Sequence, residues 1–325
     1  RHSDLVQALS WSVASSRKSP NAHNNRGWSG FCSSSRFNTS NASSRLPAAA
    51  YNSITRSHSW IFLKRSAAET KARVALLTGC AQQVLGAQIN DAAVRLLTRM
   101  GMEVTIPSNT SCCGALTHHM GERTRSQEMM AKAVDQWEEL LNAGVEAIVL
   151  TTSGCQTAVA DYGHLFTGSD RAAAAQRVSA VACDITQFLD RWTLPEIREM
   201  RSIRLAYHDA CSMQHGLRWT QTPRELLRRT GAHVLEIPEG HICCGSAGTY
   251  HLLRVDFSTQ LQERKAIHIR EQKPDVVVSG NIGCLEQLAS AVPETPFVHT
   301  VQWLGRGTGG PCPPITPSST TEAAS

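Results

Sequence analysis

Residues 73–80, RVALLTGC, and residues 204–211, RLAYHDAC, are short apolar runs that each end on a cysteine. A run of this length bounded by Gly, Asp or Ala reads as a buried strand, with Cys80 and Cys211 at the carboxyl tips. The two runs lie 131 residues apart, and the same offset carries Cys112-Cys113-Gly114 onto Cys243-Cys244-Gly245 without a gap. Two further runs, EAIVLTTSGC (146–155) and PDVVVSGNIGC (274–284), end on Cys155 and Cys284 after a two-residue adjustment. Eight of the eleven cysteines thus form two equal sets of four, and an internal repeat of this kind points to duplication.

Helical periodicity fills the spaces between these strands. AQINDAAVRLLTRMG (87–101) places Ile89, Ala93, Leu96, Leu97 and Met100 on one face and stops at Gly101. RSQEMMAKAVDQWEELLNAG (125–144) does the same with Met130, Val134, Trp137 and Leu141. In the second copy TPRELLRRTG and DFSTQLQERKAIHIREQ are the helices, with AHVLEIP between them as a strand. Strands alternating with helices of this length predict an α/β fold in which each copy has a short, mostly parallel sheet flanked by helices. The predicted divisions are a basic low-complexity arm over 1–72, copies over 73–185 and 202–304 joined by a surface connection, and a disordered tail over 305–325. The connection, from about Ala182 to Arg201, contains Cys183, read as a buried thiol; Cys32 and Cys312 are read as incidental thiols in the arms.

Charge is unevenly placed. Residues 1–72 hold ten Lys or Arg against two acids, a balance of +8, so the remainder carries 5 − 8 = −3. The body of the chain therefore has no electrostatic footprint for nucleic acid. The arm fits three readings: a solvated disordered segment, an Arg- and Ser-rich targeting peptide, or non-native sequence. No apolar run of about 18 residues predicts a transmembrane helix.

The carboxyl ends of strands in open α/β sheets form the crevice where ligands bind. Four thiols gathered there make a soft, anionic cup suited to an iron–sulfur cluster or a thiophilic metal. The glycine after each cysteine pair can adopt backbone angles closed to other residues and so turn both sulfurs toward one centre. Zinc, redox thiols and a structural role stay open on spacing alone, although no Cys-x-x-Cys knuckle is present. His208, beside Cys211, is either a donor toward such a centre or a strand-end histidine satisfied by backbone; the second reading is preferred. Arg218, Arg224, Arg228 and Arg229 read as a solvated helix face. No nucleotide or flavin loop and no Ser/His/Asp set occurs, so no catalytic residue is assigned.

The motifs TGC…SCCG…TSGC and HDAC…ICCG…NIGC resemble the cysteine-rich, CCG-type domain shared by heterodisulfide reductase subunits and several iron–sulfur flavoenzyme subunits. YHDACSMQHG, HICCGSAGTY and GNIGCLEQLAS in the second copy are similar to the iron–sulfur subunits of glycolate oxidase (glycolate dehydrogenase). That resemblance implies an electron-transfer subunit of an oxidoreductase, passing electrons from a flavoprotein partner that oxidises glycolate to glyoxylate toward a quinone or membrane-side acceptor. It implies iron–sulfur clusters of [4Fe–4S] type, with Cys80, Cys112, Cys113 and Cys155 as one ligand set and Cys211, Cys243, Cys244 and Cys284 as the other. It also implies a cytoplasmic location, peripheral to the inner face of the membrane through partners. Lactate-utilisation, glycerol-3-phosphate dehydrogenase and heterodisulfide reductase subunits are the alternatives within the class, and a zinc-stabilised interaction module is the alternative outside it. The chain departs from the fuller motif in two respects. Ala158 and Gln287 stand where the last Cys-x-x-Cys would place a fifth cysteine, and residues 1–72 hold no ferredoxin-like cysteine run.

Overall fold

A computed structural model describes residues 53–56, 60–64, 70–109, 111–197, 200 and 202–313. The described residues begin with two strands, β1 (Ser53–Arg56) and β2 (Trp60–Lys64). β3 (Ala72–Leu77) leads into helices α1 (Cys80–Leu85) and α2 (Ala87–Arg99), and β4 (Met102–Pro107) into α3 (Ala115–His119) and α4 (Arg123–Asn142). β5 (Ala147–Leu150) is followed by α5 (Ser153–Ala160), α6 (Tyr162–Leu165) and α7 (Ala172–Val181); β6 (Ala182–Asp184) is followed by α8 (Ile185–Asp190). The second copy runs β7 (Arg204–His208), a π-helical turn (Ser212–Leu217), α9 (Gln221–Arg229), β8 (His233–Glu236), α10 (Tyr250–Leu253) and α11 (Val255–Gln272). It ends with β9 (Val276–Ser279), α12 (Ile282–Ala291), β10 (Phe297–His299) and α13 (Thr300–Gly307).

The first sheet has the order β1-β2-β4-β3-β5-β6 and the second β10-β9-β7-β8. β3 to β6 pair in parallel, as do β7 to β10. In both copies the first parallel strand lies between the second and the third, with the fourth outside the third. The α/β duplication read from the cysteine offset is therefore present in the topology. The chain leaves β3 in one direction to make β4 and crosses back for β5, so a switch point falls between β3 and β5; its equivalent lies between β7 and β9.

The strands are buried on both faces, as near-continuous apolar runs require. Val74 and Leu76 of β3 face a core that includes α2, α8 and much of the second copy, with Leu205, Val277 and Trp303 in the same cluster. Ala75 and Leu77 face a second core built on Met130, Val134 and Trp137 of α4 and on α7. Gly101 and Gly231 take positive φ at the ends of α2 and α9, where the sequence placed the helix stops.

Three features go beyond the sequence reading. First, Ser53–Arg56 and Trp60–Lys64, within the stretch read as an arm, pair antiparallel and extend the first sheet through β2 and β4. The apolar run Trp60-Ile61-Phe62-Leu63 covers the edge of β4 and puts Leu63 in the core, which removes an exposed sheet edge. Second, the tail expected to start at 305 begins inside α13, whose Gly305, Arg306 and Gly307 are buried. It is held there by Arg99 Nη2, which donates to the Gly305 carbonyl (3.0 Å) and to Thr308 Oγ1 (2.9 Å). Third, Cys312 is disulfide-bonded, not an incidental free thiol. The segment read as a connection begins with β6, where Cys183 is buried inside the first sheet. Residues 1–52, with Cys32, and residues 314–325 lie outside the described residues.

Candidate metal centre

Each strand that leads to a site cysteine stops a few residues short of it, and the cysteine enters or adjoins the first turn of the next helix. Cys80 opens α1, Cys155 is the third residue of α5 and Cys284 the third of α12, while Cys211 immediately precedes the π-helical turn. A sulfur there meets free backbone N–H groups and the positive end of the helix, both of which favour a thiolate. Asn281 caps α12, its Oδ1 accepting from the N–H groups of Gly283 (2.9 Å) and Cys284 (3.3 Å). The cysteine pairs sit on the loops after β4 and β8. Gly114 (φ 74°) and Gly245 (φ 93°) take the left-handed conformation that the sequence required of them.

All eight cysteines line one cavity of about 380 Å³. The sequence presents the quartets as two separate cups; the structure opens both onto a common space at the carboxyl ends of the two sheets. In the first quartet Cys112 Sγ lies 3.5 Å from Cys80 Sγ, and Cys113 reaches both Cys112 and Cys155. In the second, contacts run Cys211–Cys243–Cys244–Cys284, with His208 beside Cys284. The facing loops are tied together: Ser153 Oγ and Ser212 Oγ are 2.7 Å apart, and Asn281 Nδ2 donates to Ser153 Oγ at 3.0 Å. Gln82, buried in α1, donates to Thr151 Oγ1 (2.7 Å) and accepts from Thr152 Oγ1 (2.8 Å), fixing the Cys80 turn against the Cys155 turn.

The quartets differ electrostatically. Hydrogen bonds from Cys211 and Cys244, together with the Gly245 N–H (3.3 Å), hold Cys243 as a thiolate, its pKa drawn down to about 2. Cys284 is drawn down to about 6 by Cys244 and by His208. The other two thiols of that quartet, Cys211 and Cys244, are raised by their bonds to neighbouring cysteines and by burial. In the first quartet donation to Cys113 and burial push Cys112 up to about 12, and the Cys112 contact with burial raises Cys80.

His208 corrects the reading preferred from sequence. It is 2% exposed, its Nε2 has no hydrogen-bond partner, and a ring nitrogen lies within 4.8 Å of the sulfurs of Cys244 and Cys284. This is the one His/Cys/Asp/Glu group of metal-binding geometry among the described residues. A buried nitrogen left without a partner costs about 1–3 kcal/mol, so the site suits a ligand that satisfies it. Arg224 is corrected too. It is not solvated but sits over the Tyr207 ring (5.1 Å), with Nη1 on Asp209 Oδ1 (2.9 Å), Nη2 on Asp209 Oδ2, and a fork on Glu236 (2.7 Å to each oxygen). That network anchors Asp209, two residues before Cys211. The sequence reading missed Lys265, 1% exposed on the inner face of α11, whose Nζ donates to the Glu239 carbonyl at 2.6 Å. Gln287 lines the cavity where a fifth cysteine would stand in the second copy, and its Nε2 donates to Ser258 Oγ (3.0 Å).

Four soft donors in each half, backed by N–H groups and opening on a shared space, match a thiolate-ligated metal group better than a disulfide or a packed core. The family model for the cysteine-rich domain with the CCG motif matches residues 74–160 and again residues 205–289. The chain belongs to the CCG cysteine-rich domain family. Among curated members it is 35% identical over 222 residues to the glycolate oxidase iron-sulfur subunit of Escherichia coli, across 68% of this chain and 54% of that protein. It is 29% identical to the probable glycolate oxidase iron-sulfur subunit of Bacillus subtilis, across 67% and 49%. The chain thus spans about half the length of these two relatives. Lactate utilization protein A of Geobacillus kaustophilus is 27% identical, across 68% of this chain and 91% of that protein. A hypothetical protein from Helicobacter pylori shares the fold (TM-score 0.51, 11% identity, 74% of this chain and 50% of that one). The CCG domain of this chain is therefore present twice, and the two copies close one cavity.

Proposed function

We propose that this CCG protein is an iron–sulfur electron-transfer subunit of a glycolate oxidase-type complex. The observation that carries the reading is the convergence of two cysteine quartets on one cavity at the switch points of two equivalent sheets. Cys80, Cys112, Cys113 and Cys155 would hold one centre, and Cys211, Cys243, Cys244 and Cys284 the other. Iron–sulfur groups supply reversible one-electron storage. The protein's part is to present the thiolates, donate N–H groups to sulfur and shield the site within the fold.

Structural zinc sites are closed, with four ligands wrapped around the ion. Two quartets facing a common 380 Å³ space favour redox groups that exchange electrons over separate zinc staples. The oxidation of glycolate to glyoxylate releases two electrons and two protons, and none of the described residues is placed to take a hydride. The flavin that accepts it belongs to a partner, and a quinone receives the electrons downstream. Among the described residues no helix is long and apolar enough to cross a membrane, so contact with a membrane-side acceptor would run through partners. A lactate-utilisation subunit is the second reading, favoured by the match over 91% of lactate utilization protein A.

Iron and acid-labile sulfide analysis with EPR on anaerobically isolated protein tests the cofactor; zinc without iron overturns it. Co-purification from the native host tests the substrate. Flavoprotein partners that reduce on glycolate support the first reading, and partners that reduce only on lactate replace it with the second.

A further inference from the structure

The copies share the thiols but not what surrounds them. At the end of the first strand His208 in the second copy replaces Leu77, 131 residues earlier. The long helices are aligned by their contact with the CCG turns: a Cβ on Gly114 would meet the Ser126 carbonyl, and one on Gly245 the Ser258 carbonyl. Seven residues beyond each serine stand Ala133 in α4 and Lys265 in α11, both fully buried. The first quartet therefore has Leu77 and Ala133 where the second has an imidazole and an ammonium group.

Both second-copy groups act on the sulfurs. His208 lies within reach of Cys244 and Cys284, with its Nε2 unpartnered. Lys265 interacts electrostatically with Cys244, Cys243 and Cys284. The nearby acids offset little of this. Asp209 is neutralised by Arg224, and the Glu239 carboxylate is taken by Arg264 and His268 at the surface. Glu286, which also lines the cavity, has an interaction of its own. Beside the first quartet Tyr162 donates its hydroxyl to the Cys113 carbonyl (2.8 Å) and brings no charge. Two further histidines, His119 and His251, line the cavity, and burial lowers the pKa of each, which favours the neutral ring.

Adding an electron to a cluster adds a negative charge, which a buried cation and an N–H donor to sulfur stabilise more than an apolar wall does. We infer that the second quartet (Cys211, Cys243, Cys244, Cys284) carries the higher-potential of the two centres, that His208 and Lys265 set this order, and that electrons pass from the first centre to the second. The inference rests on the iron–sulfur reading above. Each step moves one electron from the reduced first centre to the oxidised second. A reduced flavin on the partner is the electron source and a quinone the final acceptor.

The test is an EPR-monitored redox titration of the full chain isolated anaerobically with its iron. Two reductive steps are expected. The upper step should disappear in Cys243→Ser/Cys244→Ser and persist in Cys112→Ser/Cys113→Ser. His208→Leu and Lys265→Met should each shift the upper step downward by about tenfold in the reduction equilibrium, about 59 mV for one electron, and leave the lower step in place. If the serine variants do not fold, the step moved by His208→Leu and Lys265→Met decides the assignment. An upper step that belongs to the first quartet, or one that neither variant moves while iron stays bound, overturns the inference. Wild-type protein without iron would instead sink the iron–sulfur reading.

Discussion

Replacing Gly245 by alanine tests whether the CCG turn is held by backbone geometry. Gly245 has φ 93°, and its added Cβ would lie 2.5 Å from the Ser258 carbonyl oxygen, 3.1 Å from Ser258 Oγ and 3.2 Å from Gln287 Nε2. The carbonyl belongs to α11 and cannot rotate away, so either the helix or the turn must move. Such movement strains the bond from Ser258 Oγ to the Gly245 carbonyl (3.0 Å). An alanine in the left-handed region costs about 1–2 kcal/mol. Overpacking against a fixed neighbour adds about 1–3 kcal/mol. The total, about 2–5 kcal/mol, corresponds to a fall in Tm of roughly 4–10 °C for a chain of this size. Gly114→Ala meets the same backbone penalty at φ 74°, but the Cβ contact at 2.7 Å is with Met130 Cγ, a flexible side chain that can give way. Its cost should be about 1–3 kcal/mol, below that of Gly245→Ala. Urea and thermal unfolding of the full chain measure both. Equal losses, or a larger loss for Gly114→Ala, would refute the argument that the Ser258 carbonyl fixes the second turn.

Arg224→Met strands a nearly buried Asp209 and should cost about 3–5 kcal/mol in urea unfolding; adding Asp209→Asn should recover part of it, and a purely additive pair would rule the network out. Tyr162→Phe leaves the Cys113 carbonyl without its donor and should cost about 1–2 kcal/mol, readable as a lower urea midpoint, with iron content unchanged. Burial raises Asp184 to about 6 and lowers His299 to about 4, so as pH falls from 6.5 to 4 the first gains about 3 kcal/mol of stability and the second loses about as much. Asp184→Asn keeps the cap but removes the gain, so its metal-free stability should drop steeply over that window while wild type stays nearly level from these two groups; a parallel decline in both would contradict the assignment.

The strands and long helices were legible because their apolar periods match their burial. Ile89, Ala93, Leu96, Leu97 and Met100 are all buried, as are Met130, Val134 and Trp137, although Leu140 takes the place expected for Leu141. The strands β1 and β2 were hidden in polar low-complexity sequence; only the run Trp60–Leu63 hinted at them. β6 and β10 are three residues each, too short for any period. Yet Asp184-x-x-Gln187 and His299-x-x-Gln302 are capping boxes at the same place in each copy, 115 residues apart, and that spacing could have revealed both. Lys265 was concealed among exposed charges. Its spacing from Ser258 and Ile269 puts it on the inner face of α11, which the polar composition of that helix obscured. The equivalence of the cysteine quartets was legible from their offset, but an offset says nothing of how two copies face each other.

The way the copies face each other governs how the centres can be studied. One hydrophobic cluster runs from Val74 and Leu96 through Leu205 to Trp303, so the core on this face of the first sheet is shared between the copies, while the core around Trp137 belongs to the first copy alone. α2 packs against α13, and His299, which caps α13, donates from Nε2 to the Thr151 carbonyl of the first copy at 2.7 Å while its Nδ1 accepts the Val301 N–H. A separated half would expose this apolar surface and leave buried polar groups such as Thr151 and Ser153 without partners, each a cost of about 1–3 kcal/mol. The copies are thus halves of one folding unit built around one cavity. A shared core keeps the quartets at a fixed separation, which the proposed electron transfer would need and a pair of tethered domains would not supply. On the proposed transfer, the differences between the copies, His208 for Leu77 and Lys265 for Ala133, would bias its direction without any movement of one half against the other.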